Sequence, residues 1–119
     1  MSLRLHHVAL RVADPERSAE FYGRLLGLPE LRRNHDGAEV RAIWLAAGSA
    51  VVMLERRLAG SGPETGSGHL LALAVEDLAA WEQRLRAAGV PVDGRTAYTL
   101  YLRDPDGHRV GLSTYPVSD

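Results

Sequence analysis

Few side chains in this 119-residue sequence are equipped for chemistry, and cysteine is not among them. Disulfides, thiolate zinc sites and cysteine nucleophiles are therefore excluded. His7 stands in the alternating, strand-like segment His6-His7-Val8-Ala9-Leu10. With an unperturbed pKa of about 6.5, an imidazole is the natural acid–base candidate. The plainer reading is a polar residue at a strand end, hydrogen-bonded to a neighbour. Glu55 closes the run Val51-Val52-Met53-Leu54-Glu55. A carboxylate there can position a substrate or take a proton, and if buried it needs a partner such as Arg11, Arg103 or Arg109. Trp44, Tyr98 and Tyr101 are aromatics left over from the helix stripes. Such rings stack on flat or apolar ligands, or else fill a core or a dimer contact. The Gly-rich stretch 59–68 lacks the Gly-Lys-Ser/Thr of a phosphate loop, and Gly111-Leu112-Ser113 is not a nucleophile elbow.

The elements that position these residues are read from a repeat. His6 to Asp14 and His69 to Asp77 align at an offset of 63, sharing His, Ala, Leu, Val and a closing Asp. Each segment is a strand pattern followed by about three turns of helix and a Gly. Asp14 caps the first helix with Pro15 at its first position, and Ala19, Tyr22, Leu25 and Leu26 form its stripe, which Gly27 ends. Asp77 caps the second, with Leu78, Trp81, Leu85 and Ala88 as the stripe and Gly89 beyond. Three strands should follow each helix. In the first half they run about Leu31–His35, Val40–Ala46 and Ala50–Leu58; in the second, a short one near Val92, then Tyr98–Arg103 and His108–Tyr115. Asp36-Gly37, Gly48-Ser49 and Asp104-Pro105-Asp106-Gly107 supply turns. The order predicted is βαβββ for residues 3–58, a linker at 59–68, and βαβββ for 69–117, forming one domain over 1–119.

Composition agrees with a soluble globular protein: 45% hydrophobic, 24% charged, formal net charge −1. No broad basic face is implied, so nucleic acid is not an expected partner. No apolar run approaches the roughly 20 residues of a membrane helix, and the start lacks a signal-peptide core. A cytoplasmic protein is the default expectation. Arg32-Arg33 and Arg56-Arg57 are interleaved with acids and read as solvated surface.

The chain resembles the vicinal oxygen chelate superfamily, which includes glyoxalase I, bleomycin-resistance proteins and extradiol dioxygenases. The likeness lies in His7-Val8-Ala9-Leu10 with Val12 and Asp14, Ser18 through Phe21-Tyr22, and Leu26-Gly27-Leu28. It continues in Gly68-His69, Val75-Glu76-Asp77-Leu78, Ala87-Ala88-Gly89-Val90 and Asp104-Pro105-Asp106-Gly107-His108-Arg109. The resemblance implies an α+β fold in which two βαβββ modules form curled mixed sheets around a cup with helices outside, in chains that are often homodimers. Alternation then sends Leu5, His7, Ala9, Arg11, Val51, Met53, Glu55, Leu70, Ala72, Ala74, Thr99, Tyr101, Arg103, Arg109, Gly111 and Ser113 toward the cup. The direction of Trp44 stays open, because Ile43 and Leu45 compete for the core face.

Metal-dependent members of that family hold one divalent ion (Zn, Fe, Mn or Ni) with four inward His or Glu side chains. Those positions fall here on His7, Met53, Leu70 and Gly111, of which only His7 is a ligand. Two rescues are open: Glu55 shares a face with Met53, and His69 would turn inward only through a bulge near Gly68. His7 and Glu55 thus stand as the catalytic candidates and as the residual metal ligands; Trp44, Met53, Leu70, Tyr101, Arg103 and Gly111 are the expected substrate-binding set. The favoured expectation is a small organic molecule bound in the cup with no metal cofactor. The alternatives are a divalent-metal-dependent lyase, isomerase or dioxygenase with an altered ligand set, and a dimer whose cup is filled by Met53, Leu70 and Trp44.

Overall fold

A computed structural model describes residues 2–58 and 69–116. The expected linker and the bulge near Gly68 lie outside the described residues. The chain divides into two compact units, residues 1–61 and 62–119. Each carries one four-stranded mixed sheet and one helical connection on the same plan.

In the first unit, β1 (His7–Arg11) leads into α1 (Pro15–Ala19), then β2 (Glu30–Asp36), β3 (Glu39–Ala47) and β4 (Ala50–Glu55). The sheet order is β1-β4-β3-β2, with β1 parallel to β4 and the other pairs antiparallel. In the second unit, β5 (Leu71–Ala74), α2 (Leu78–Ala87), β6 (Gly94–Arg95), β7 (Thr99–Arg103) and β8 (Arg109–Ser113) repeat the pattern as β5-β8-β7-β6.

Both helices start where an Asp caps them. Asp14 accepts from the Glu16 N–H at 3.1 Å, and Asp77 from the Ala80 N–H at 3.1 Å. Each carboxylate satisfies one backbone donor that the first turn leaves open. The first helix then departs from the sequence expectation. After Ala19 it widens into a π-helical segment (Glu20–Leu25), with the Leu26 N–H donating to the Phe21 carbonyl at 3.0 Å. Five-residue spacing turns Phe21 inward beside Leu26, so both are buried together with Tyr22. A stripe read at ordinary α-helical spacing omits Phe21 for that reason.

Each unit packs the helix-facing side of its sheet. Val52 and Leu54 of β4 and Ile43 and Leu45 of β3 are buried in the first unit; Leu100, Leu102, Val110, Leu112 and the α2 residue Leu85 are buried in the second. Full burial of such a side chain contributes about 1.5–3 kcal/mol. Most expected strand limits move by about one residue, and β8 ends at Ser113 rather than Tyr115. β4 stops at Glu55 rather than Leu58, because the Glu55 carboxylate accepts the Arg57 N–H at 3.1 Å and bends the chain into a turn. The strand expected near Val92 forms at Gly94–Arg95, two residues later. The Asp104–Gly107 turn forms as expected: the Gly107 N–H donates to the Asp104 carbonyl at 2.9 Å, and Gly107 takes φ +88°.

Candidate functional site

The register across the first sheet places side chains on the face away from α1 in three rows. In parallel and antiparallel pairs alike, opposed residues share a face. One row joins His7, Val51 and Ala46; the next joins Ala9, Met53, Trp44 and Arg32; the third joins Arg11, Glu55, Ala42 and Asn34. Because Ile43 and Leu45 are buried on the helix side, Trp44 lies on this open-row face. The direction that the sequence left undecided is thus fixed by its two neighbours.

The middle row is apolar and aromatic. Trp44 is half-buried opposite Met53, and the Arg32 guanidinium lies over its ring at 5.2 Å. The Trp44 indole N–H is inaccessible to solvent and has no acceptor among the described residues. Arg32 belongs to a pair of arginines expected to be mere surface. Its neighbour Arg33 is that, held by Glu16 at 2.9 Å and Glu30 at 2.7 Å, whereas Arg32 stacks on the site aromatic.

The third row is charged. Glu55 is mostly buried and lies 3.8 Å from the Arg41 Nε. Arg41 was not foreseen as its partner. Strand parity puts Arg41 on the opposite side, but β3 carries one extra residue between the pairs Asn34–Ala42 and His35–Val40. That bulge turns the Arg41 side chain to the Glu55 face. The arginines expected to pair with Glu55 are engaged elsewhere. Arg11 donates to the Leu58 carbonyl, and Arg103 and Arg109 both donate to Asp93, at 3.1 and 3.2 Å. Asp36, Arg41, Met53, Glu55, Arg57 and Leu58 line an open recess of about 380 Å³ at this end of the face.

The second sheet has a matching face. Ala72, Gly111, Tyr101 and Gly94 form one row, and Ala74, Ser113 and Thr99 the next. Tyr101 sits opposite Gly111 as Trp44 sits opposite Met53, and a guanidinium again lies over the ring, that of Arg109 at 4.1 Å. Gly111 has close neighbours: an added Cβ would meet Thr99 at 3.4 Å, Tyr101 at 3.5 Å and Ala72 at 3.6 Å. Thr99 and Ser113 join their hydroxyls at 2.8 Å. Asp93, which the sequence reading did not single out, gathers Arg103 and Arg109. Leu70 precedes β5 and is exposed, as is Tyr98, whose ring meets Tyr115 edge-on at 5.2 Å.

His7 is exposed at the start of β1, its Nδ1 2.9 Å from the Nδ1 of His6. One of the two rings donates and the other accepts. The register sets His7 opposite Val51 and Glu55 opposite Arg11, four residues along the same strand pair, or about 13 Å. These two residues share a face and lie toward its two ends. Met53, Leu70 and Gly111 add no ligating side chain, and no group of three His, Asp or Glu suited to a metal occurs among the described residues. Of the four positions that hold the ion in metal-dependent members of the family, only His7 carries a ligating side chain.

Chemically, the first face offers an imidazole at one end, an indole and a thioether in the middle, and a carboxylate beside a guanidinium at the other. The second offers a phenol ring under a guanidinium and a pair of hydroxyls. Aromatic rings of this kind can stack on flat groups, and the charged and hydroxyl groups can hydrogen-bond polar ones.

Comparison with known proteins gives a consistent picture. A family model described as Glyoxalase/Bleomycin resistance protein/Dioxygenase superfamily matches residues 4–112. A probable lactoylglutathione lyase of Vibrio cholerae is 32% identical, over 92% of this chain and 88% of that protein. The glutathione transferase FosA of Serratia marcescens is 33% identical, over 91% of this chain and 78% of that protein. Among solved structures, TnmS3, an antibiotic binding protein from Streptomyces sp. CB03234, superposes with a TM-score of 0.74 at 24% identity, covering 94% of this chain and 95% of that one.

Proposed function

Because the chain belongs to the glyoxalase/bleomycin resistance protein/dioxygenase superfamily, we propose that it binds a small organic molecule on these strand faces without a family-type metal ion. One observation carries the reading. At Met53 and Gly111, two positions where metal-dependent relatives present ligands, the opposed residues are Trp44 and Tyr101, each under a guanidinium. Aromatic faces at those rows suit stacking on a planar ligand, and the guanidinium above each ring favours an anionic or electron-rich one. The fold it shares with an antibiotic binding protein is in keeping with a binding role. In this reading the protein works in the cytoplasm as a homodimer, as many members of its family do.

A ligand held this way stabilises the folded state with the logarithm of its concentration, by about 2.7 kcal/mol at a hundredfold excess over Kd. A thermal-shift screen of planar anionic and antibiotic-type compounds should therefore return hits that Trp44→Ala or Tyr101→Ala removes. If the hits survive both substitutions, the strand faces are not the site.

The second reading is a lyase of the lactoylglutathione lyase type, favoured by the Vibrio cholerae relative. There His7 would move the proton and Glu55 would hold substrate. It requires a first-row metal. Metal analysis of protein purified without chelator tests the metal-free reading: about one equivalent, lost in His7→Ala, would overturn it in favour of a metal-dependent enzyme.

A further inference from the structure

We infer that the Glu55–Arg41 end of the first face docks a zwitterionic group of the amino-acid type, its ammonium on Glu55 and its carboxylate on the outer edge of the Arg41 guanidinium. The inference rests on the small-molecule reading above and names the polar part of the ligand.

Unspent hydrogen-bonding capacity in the recess carries it. A carboxylate offers about four lone-pair sites. Glu55, with its side chain 12% exposed, spends one of them on the Arg57 N–H and makes no other side-chain hydrogen bond among the described residues. Its nearest cation, the Arg41 Nε, stands at 3.8 Å, beyond the 2.7–2.9 Å or so of a charge-assisted hydrogen bond. That Nε is itself inaccessible and without an acceptor, while the two terminal nitrogens of Arg41 make no hydrogen bond among the described residues. The other charges are committed: Arg57 holds both Asp36 and Glu39. What remains open is one acceptor and one donor pair, side by side, with Met53 as an apolar wall. A ligand bearing only a cation or only an anion fills half of this arrangement and meets a like charge in the other half. A zwitterion fills both, and an unbranched side chain can lie along the thioether.

The test is a ¹H–¹⁵N titration of the intact protein with L-norleucine, n-hexylamine and hexanoate, with 2-naphthol as a planar control. L-norleucine should move the Arg41, Glu55 and Arg57 amides and bind roughly tenfold tighter than either singly charged probe. Glu55→Gln and Arg41→Gln should each erase that preference while the rest of the spectrum stays native. Should either variant lose the native spectrum, Glu55→Asp, which withdraws the carboxylate by one methylene, supplies the comparison and should weaken L-norleucine alone. Equal binding of the three probes, or a preference that survives the substitutions, overturns the inference. If 2-naphthol moves the Trp44 indole resonance and L-norleucine moves nothing in the recess, the inference falls and the binding reading stands. If no probe moves either face, the inference falls.

Discussion

The indole N–H of Trp44 is a buried donor with no acceptor among the described residues. Leaving such a group unsatisfied costs about 1–3 kcal/mol. Trp44→Phe removes the donor with part of the ring volume, so the two effects oppose. Chemical denaturation should show a stability change under about 1 kcal/mol, against the 3–5 kcal/mol or so of a Trp→Ala cavity. Binding of a planar ligand should meanwhile persist, because Phe keeps an aromatic face in the same row. Gly107 makes a purely conformational prediction. Its φ is +88° and nothing lies within 4 Å of an added Cβ, so Gly107→Ala should cost about 1 kcal/mol by strain alone. At this scale the sequence was partly legible. His7, Met53, Tyr101 and Gly111 occupy the rows that alternation assigns them, because period-two reading needs only an unbroken strand. Arg41 was not legible, because one inserted residue reverses parity locally and leaves no mark in residue type.

The helices show the same division between local and tertiary causes. Both Asp caps were readable, since capping depends on the Asp and the residues just after it. Asp77→Ala should lower stability by about 1 kcal/mol in urea denaturation, with the α2 amides losing exchange protection first. The π-helical segment was not readable, since its wider spacing follows from where Phe21, Tyr22 and Leu26 are buried. Gly23 within it has room for a methyl group: the nearest atoms to an added Cβ are the Leu28 carbonyl oxygen at 3.5 Å and Leu45 Cδ2 at 3.9 Å. Gly23→Ala should stabilise by about 0.5–1 kcal/mol through lost unfolded-state freedom, read as a raised urea midpoint. A lowered midpoint would mean that the widened turn needs glycine.

Over the whole chain, the repeat offset of 63 foretold two copies of one plan, and both sheets follow it. Surface ion pairs run within and between the elements of each unit: Glu30 with Arg33, both in β2, and Glu82 of α2 with Arg95 of β6. The hydrogen bond from Arg33 holds the Glu30 carboxyl below the usual carboxylate range, and the one from Arg95 does the same for Glu82. A carboxyl depressed in the folded state stabilises it above the unfolded pKa, and that contribution is lost as pH falls through the folded value. Melting temperature should therefore drop between about pH 5 and pH 3, modestly because these pairs face solvent and salt screens them. A flat profile through that window would remove these pairs from the stability argument.

The parallel pairing of each unit's first strand with its last has a consequence for how the chain comes off the ribosome. His7 finds Val51, and Leu71 finds Val110, only after everything between has been synthesised. A nascent chain ending before residue 50 can close the β2–β3 hairpin but has no place for β1, so the Trp44 row exists before its Met53 and Ala9 neighbours arrive. Loop closure of this length makes the first strand a late arrival. A stop codon at Arg109 would release β5 by the same logic, undoing a strand almost forty residues upstream of the cut.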